Sequence, residues 1–250
     1  MGGQKVKMQC DSHESTSVLL VLIVGLILLG FTFVTAAPEA PDITVYGNQT
    51  KPIASAAFLN TSGGSITTML LNATTQNTRW KAYVGNITGK LTLMDASNYS
   101  LFDWGITTAL TGEIYATRQS GSINWNTINC SSRMNVASEE IAINHTSNPN
   151  DNISVTFSST SHNSFFVGSI PITADSCYSL HTNVNGSAQS SDFSELLLHD
   201  SSSLIYTTLI ENNKDGYRPG SQYDFQMIVP ETGLSTWTSS TPYYFYVEII

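Results

Sequence analysis

Charged residues are scarce in this chain. Only 12% of its 250 residues are Asp, Glu, Lys or Arg, about half of the roughly 25% typical of soluble proteins. The ten basic residues are outnumbered by 19 acidic ones, so the formal net charge is −9. An acidic surface without a Lys/Arg cluster repels a phosphate backbone, so we expect no nucleic-acid partner.

Enzyme motifs are missing as well. The sequence has no G-x-S-x-G elbow, no H-E-x-x-H helix, no Walker loop and no dinucleotide fingerprint. His199, Asp200 and Ser201 are adjacent, so their side chains diverge and cannot align as a catalytic triad. Glu139 and Glu140 are adjacent too, and we predict that they face opposite ways on a strand. The sequence therefore predicts a protein that is not an enzyme and needs no cofactor.

Cysteine occurs only three times, at Cys10, Cys130 and Cys177. Cys10 precedes a long apolar run, so Cys130 and Cys177 are the pair available for a disulfide in an exported region. Closing a loop of that size stabilises a fold by roughly 3 to 4 kcal/mol in the chain-entropy model. The alternative is two buried free thiols, and the spacing does not match a zinc site.

The long apolar run is the segment VLLVLIVGLILLGFTFV at residues 18–34. Its length lies between a secretory core of ~7 to 15 residues and a spanning helix of ~20. Lys5 and Lys7 precede it, and small residues follow at Ala36 and Ala37. We therefore predict that residues 1–37 are either a cleaved signal peptide or a signal anchor with a transmembrane helix at about 18–37. Both alternatives place the later residues outside the cell, and the second adds the membrane as a partner.

N-x-[ST] sequons are frequent. Combined with an export signal, they predict N-glycosylation of a secreted or cell-surface protein, although the Asn, Ser and Thr content alone accounts for part of the number. The predicted acceptors are Asn48, Asn60, Asn72, Asn86, Asn98, Asn129, Asn144, Asn152 and Asn185.

Short runs of alternating polar and apolar residues, separated by turn residues, predict an all-β fold. We expect a linker and first strands at 38–75 and an antiparallel β-sandwich at 76–250, Ig-like or jelly-roll-like. A turn near 148–152 divides it into two subdomains or two halves of one sandwich. The predicted strands are 79–84, 90–93, 113–117, 141–144, 153–157, 164–167, 195–199, 204–210, 222–229 and 243–249.

Three of these strands carry more detailed predictions. Strands 79–84 and 90–93 are expected to form a hairpin, with Trp80, Ala82 and Val84 facing inward on the first strand and Leu91 and Leu93 facing inward on the second. The last strand has aromatic residues on both faces, since Tyr243 and Phe245 alternate with Tyr244 and Tyr246. That pattern predicts a central position in a sheet.

Candidate ligand sites are few. Exposed aromatic rings at Trp125, Trp237 and Tyr217 could stack on sugar rings, although packing is the favoured reading of the two tryptophans. Two oxygen-rich turns, with Asp151 and Asp215 as carboxylate ligands, are weak calcium candidates. Both lack the alternating D-x-D pattern, so ordinary turns are favoured.

The exported region resembles a set of uncharacterised archaeal secreted or cell-surface proteins rich in β-structure. The resemblance rests on RWKAYVGN at 79–86 with LTL at 91–93 and DW at 103–104, on YDFQMIVP at 223–230, and on YYFYVE at 243–248. It implies an exported β-protein and no particular activity.

The leading expectation is a non-enzymatic exported cell-surface glycoprotein with a structural or adhesive role. A carbohydrate-binding module using exposed aromatic residues is the alternative, and a secreted hydrolase is the third. Expected partners are surface proteins, glycans or a second copy of the chain.

Overall fold

The computed structural model of the chain describes residues 37–52, 55–60, 62–104, 111–121, 123–146, 149–232 and 240–250. The predicted signal or anchor segment before residue 37 lies outside the described residues. Helix is limited here to α1 (Arg133–Ala142), α2 (Ile153–Thr156) and a 3-10 turn (Trp125–Thr127). The strands are β1 (Trp80–Gly85), β2 (Leu91–Met94), β3 (Ser100–Trp104), β4 (Gly112–Thr117), β5 (Asn129–Cys130), β6 (Phe165–Val167), β7 (Ile170–Ile172), β8 (Ser179–His181), β9 (Ser194–His199), β10 (Leu204–Leu209), β11 (Lys214–Asp215), β12 (Gln222–Tyr223), β13 (Phe225–Pro230) and β14 (Tyr244–Ile249).

A six-stranded antiparallel sheet forms the centre of the fold. Its order is β14-β4-β10-β9-β5, and β8 also pairs with β9. Strands from both sides of residues 148–152 contribute to it, and Ala37–Ile250 form one compact unit. The predicted antiparallel all-β class is confirmed.

Both faces of the central sheet are covered, which gives the sandwich-like arrangement. On one face, a ribbon of β1 paired with β13 packs with the two helices over a core that includes Ala116, Leu197, Tyr206 and Met227. On the other face, the β6-β7 hairpin and the 3-10 turn cover Tyr115, Leu196, Leu198 and Ile205. Alternate residues of one strand therefore enter different cores, as the two-residue period of a strand requires.

The edge of the central sheet beyond β9 is shared by two short strands. β5 pairs with the His199 end of β9, and β8 pairs with the Ser194 end. The disulfide between Cys130 and Cys177 joins the end of β5 to the segment just before β8, with a Cα–Cα distance of 4.8 Å. The predicted pairing of these cysteines is present, and it connects two pieces of one split edge.

Two predicted strands are helical instead. Residues 141–144 lie at the end of α1, and residues 153–157 contain α2. Ser132 begins α1 with a capping box, in which its hydroxyl accepts from the Asn135 N–H and the Asn135 side chain accepts from the Ser132 N–H. Val136, Glu140 and Ile143 are buried at helical spacing. The glutamate in that buried stripe conceals the helical period, which explains the wrong prediction.

Glu140 has a structural role in joining the helices. Its carboxylate accepts the Ser154 N–H at 2.7 Å, at the beginning of α2. Asn152 caps the same helix by accepting the Val155 N–H at 2.9 Å. The expectation that Glu139 and Glu140 lie on a strand is therefore wrong.

The predicted hairpin of 79–84 with 90–93 is wrong as well. β1 pairs with β13, between residues 140 to 150 positions apart, and β2 pairs with β3. The pairing with β13 decides which side chains of β1 face the core. Tyr83 lies opposite the buried Met227 and faces the same side. Ala82 and Val84 are consequently exposed, whereas Trp80 packs partly buried against the core.

The last strand is not central. β14 forms one edge of the sheet, and Glu39 pairs with Val247 on its outer side through an isolated bridge. Its two aromatic faces still enter separate cores, Phe245 on one side and Tyr246 on the other. Apolar residues on both sides of a strand therefore indicate that both faces of the sheet are covered. They do not indicate that the strand is central in the sheet. Apart from that bridge, the described residues of 38–75 form no strand.

Candidate functional site

The hairpin of β2 and β3 exposes one apolar face. Leu91 lies opposite Trp104, and Leu93 lies opposite Phe102. Their exposed fractions are 40%, 49%, 50% and 56% in that order. The prediction that Leu91 and Leu93 face inward is therefore wrong. These fractions amount to about 400 Å² of apolar surface, taking roughly 200 Å² for each fully exposed side chain. Contiguous patches of this size on a monomer are often functional. We refer to these four side chains as the hairpin face.

Local chemistry explains why the hairpin forms. The Asp95 carboxylate accepts the N–H groups of Ser97 and Tyr99 at 2.8 and 3.0 Å, which closes the turn. Asn98 adopts the left-handed conformation that such a turn uses, with φ of 65°. The Phe102 and Trp104 rings meet edge to face at 5.1 Å. Asn98 is also one of the predicted glycosylation sites, and it is exposed on this turn.

Of the two predicted stacking residues that the structure describes, Tyr217 and Trp125, Tyr217 has the more open surroundings. It is 39% exposed and lies parallel to Tyr223, with ring centroids 6.2 Å apart. The Arg218 guanidinium lies 5.7 Å from the Tyr217 ring. The Tyr217 backbone N–H donates to the Gln226 side-chain oxygen at 2.8 Å. This arrangement is a small, fixed aromatic platform.

Trp125 lies in a different setting. Its ring contacts Tyr115 and Tyr246, with centroids 5.0 and 5.3 Å away. This contact lies at the edge of the core that the β6-β7 hairpin covers. Packing accounts for this tryptophan, because its ring is partly buried between two others. Trp237 lies outside the described residues.

The predicted glycosylation sites lie mostly at the surface. Asn144 and Asn152 are half-buried, and Asn152 also caps α2. The other seven predicted acceptors are exposed: Asn48, Asn60, Asn72, Asn86, Asn98, Asn129 and Asn185. Exposed asparagines on turns are accessible to a glycosyltransferase.

The two calcium candidates have protein partners. Asp151 accepts from the Asn77 side chain at 2.5 Å and lies 3.8 Å from the Arg79 guanidinium. Asp215 accepts from the Asn185 amide at 3.4 Å. Within the described residues, no group of three or more His, Cys, Asp or Glu side chains could hold a metal ion.

The His199 neighbourhood is a structured turn. The His199 ring contacts the Asn135 amide at 3.1 Å and accepts the Ser201 N–H at 2.9 Å. The Asp200 carboxylate accepts N–H groups from Ser202 and Ser203, at 3.0 and 2.8 Å. These side chains hold the β9-β10 connection in place.

A buried carboxyl pair is the feature that sequence reasoning missed. Glu113 of β4 and Glu248 of β14 are direct cross-strand neighbours, and both are buried. The Tyr115 hydroxyl donates to Glu248 Oε2 at 3.0 Å, and the Gly168 N–H donates to Glu248 Oε1 at 2.9 Å. Burial and the nearby Glu248 charge raise the pKa of Glu113 to about 8. Burial also raises the pKa of Glu248.

No local motif could have revealed this pair. The two glutamates are 135 positions apart in the chain, and only the pairing of β4 with β14 joins them. The single available signal is that each lies in an otherwise apolar strand. A third such residue, Glu195 of β9, is fully buried, and its Oε2 accepts the Ile228 N–H at 2.9 Å, which links the sheet to the ribbon.

The fold and its cross-link define the class of this chain as a disulfide-bonded, antiparallel all-β protein. Comparison with known proteins found no matching family model, no matching curated protein and no matching solved structure. Among the described residues, no helix has the length and apolar character needed to cross a membrane.

Proposed function

We propose that this chain is an exported, N-glycosylated cell-surface protein with a structural or adhesive role, and that it self-associates through the hairpin face. The observation that carries this proposal is the hairpin face itself, with four apolar side chains left about half exposed. Water contact with that much apolar surface is unfavourable by about 25 cal/mol per Å², which favours association.

A second copy of the chain is the partner that fits this face. Leu91 and Leu93 occupy one strand, and Phe102 and Trp104 occupy the other. A twofold axis parallel to the strands places the leucines of one copy over the aromatic rings of its partner, and the reverse contact forms at the same time. A standard interface buries about 800 Å² per partner. The hairpin face of about 400 Å² supplies the apolar centre of such an interface.

Export is supported by two further features. The Cys130–Cys177 disulfide is a bond typical of oxidising compartments. Seven exposed predicted acceptors suit a glycoprotein. The archaeal origin that the resemblance implies stays a prediction.

The self-association test introduces one lysine on either side of the same strand. Leu93→Lys places a charge in the hairpin face, whereas the control Thr92→Lys places it on the opposite side, beside Asp103. We expect analytical ultracentrifugation to show a dimer for the unchanged protein and for Thr92→Lys. Leu93→Lys should raise the dimer dissociation constant at least tenfold. A monomeric unchanged protein, or a Leu93→Lys protein that dimerises normally, contradicts the proposal.

Export and glycosylation are tested by intact-mass spectrometry of the protein from its native host. We expect sugar mass increments and a gain of two hydrogen atoms on reduction. A start near Ala37 identifies a cleaved signal peptide, and a start at Met1 identifies an anchor. A bare protein with free thiols refutes export.

Carbohydrate binding is the second candidate, and the Tyr217–Tyr223 platform supports it. Parallel, partly exposed rings with a nearby guanidinium suit a sugar ring, which offers both an apolar face and hydroxyl groups. A glycan array on the unchanged protein, on Tyr217→Ala and on the exposed control Tyr46→Ala tests it. Binding lost in Tyr217→Ala alone supports the module, and no binding to any glycan refutes it.

A further inference from the structure

An open groove lies beside the buried carboxyl pair. It has a volume of about 230 Å³ and lies where β4, β6, β10 and the residue after β14 come together. Its apolar walls are formed by Phe165, Phe166, Leu209, Ile210 and Ile250, and Glu113 is the one acidic residue among the residues that line it. The groove therefore combines an apolar channel with one acidic group.

Glu113 has hydrogen-bonding capacity that the protein does not use. The side chain is 3% exposed, and its Oε2 has no hydrogen-bond partner among the described residues. By contrast, both Glu248 oxygens accept hydrogen bonds, from Tyr115 and Gly168. A buried acceptor without a partner costs about 1 to 3 kcal/mol. A ligand donor in the groove would remove that cost.

The surroundings of Glu113 select for positive charge. Tyr115 on its own strand and Glu248 on β14 are the titratable groups that act on it. The groove residues from β6, β10 and position 250 have no charged side chains. Among the described residues, no Lys, Arg or His lines the groove to balance the two neighbouring carboxyl groups, so a cationic ligand would supply the missing charge.

We propose that this groove binds a primary ammonium group carried on a short apolar stem. The ammonium group donates to Glu113 Oε2, and the stem lies along Phe165, Phe166 and Leu209. Such a group occurs in free alkylamines and in lysine side chains of other proteins.

Binding is coupled to release of a proton. The pKa of Glu113 is about 8, so the carboxyl group is mostly protonated at pH 7. An ammonium ligand arrives with its own proton, and the Glu113 proton therefore leaves to solvent, close to one per ligand bound. The affinity for the ammonium ligand rises with pH. The reason is that only the carboxylate form of Glu113 binds it, and the fraction in that form increases about tenfold per pH unit below this pKa.

Isothermal titration calorimetry of the full chain tests the proposal with three probes. n-Hexylamine represents free alkylamines, Nα-acetyl-lysine methylamide represents a lysine side chain, and n-hexanol is the neutral control. We expect at least one amine to bind, with affinity about tenfold higher at pH 7 than at pH 6 and at least tenfold above that of hexanol. The amine that binds more tightly identifies whether the ligand is a free alkylamine or a lysine side chain. Equal binding of hexanol, or no binding of either amine, overturns the proposal.

Variants separate the site from general effects on the fold. Glu113→Gln should weaken amine binding at least tenfold and abolish its pH dependence, whereas Glu211→Gln, a half-buried carboxyl outside the groove, should bind normally. Phe166→Ala removes an exposed part of the wall and should weaken n-hexylamine severalfold. Thermal melting confirms that each variant is folded. Unchanged amine binding by a folded Glu113→Gln protein overturns the proposal.

Discussion

The disulfide should provide a large part of the stability of this fold. The Cys130–Cys177 bond closes a loop across 47 positions, which corresponds to about 4 kcal/mol in the chain-entropy model. The bond also holds together the two short strands, β5 and β8, that share the edge of β9. Neither strand is longer than three residues, so each depends on the other for its position.

The perturbation is the double variant Cys130→Ser with Cys177→Ala. Alanine is used at the second position because Cys177 is fully buried, and a serine hydroxyl there would add a desolvation cost. With a urea m-value of about 2 kcal/mol per M, the loss of about 4 kcal/mol lowers the unfolding midpoint by about 2 M.

Urea unfolding followed by circular dichroism measures the effect, with and without a reducing agent. Reduction should lower the midpoint of the unchanged protein by about 2 M and leave the double variant unaffected. Under reducing conditions the two proteins should agree within about 0.5 M, apart from the small cavity at position 177. A midpoint for the unchanged protein that does not move on reduction would refute the reasoning.

Three further predictions concern the central sheet and α1. Gly112 has φ of 139°, and an added Cβ would lie 2.0 Å from the Glu248 carbonyl oxygen; Gly112→Ala should therefore lower the free energy of unfolding by more than about 3 kcal/mol in urea titrations. Arg118 donates twice to the Glu139 carboxylate, at 2.6 and 2.9 Å, and a double-mutant cycle to Ala and Gln should give a coupling energy of about 1 to 2 kcal/mol. The pKa of Glu113 is raised from 4.5 to about 8, so the folded state binds more protons in that window and stability should fall as pH rises from about 4.5 to 8. Glu113→Gln should flatten that part of the curve, and an unchanged slope would contradict it.

The position of each core-facing side chain was only partly predictable. Alternation correctly separates Phe245 from Tyr246, because a strand covered on both sides needs apolar residues on both. The same reasoning selects the wrong face for Ala82 and Val84 of β1, although Trp80 does pack against the core. There the inward face depends on a partner strand far along the chain, which places Tyr83 opposite Met227.

The helix α1 shows how a buried polar residue defeats periodicity. Its start is encoded locally, by the Ser132–Asn135 capping box. Its buried stripe contains Glu140, which a hydrophobicity pattern counts as a surface residue. The carboxylate is tolerated there because it accepts the Ser154 N–H at the beginning of α2, a contact that exists only after the two helices pack.

The sequence alone determined the antiparallel all-β class, the pair of cysteines that can bond, and a surface poor in charge. These follow from composition, two-residue alternation and the number of cysteines. The tertiary structure decided which apolar residues stay exposed on the hairpin face, and it brought Glu113 beside Glu248 at the edge of a groove. The carboxyl pair depends on the pairing of β4 with the distant β14. The exposure of the hairpin face depends on which other elements pack over β2 and β3. Neither can be read from a local segment, because the contacts that decide both come from distant parts of the chain.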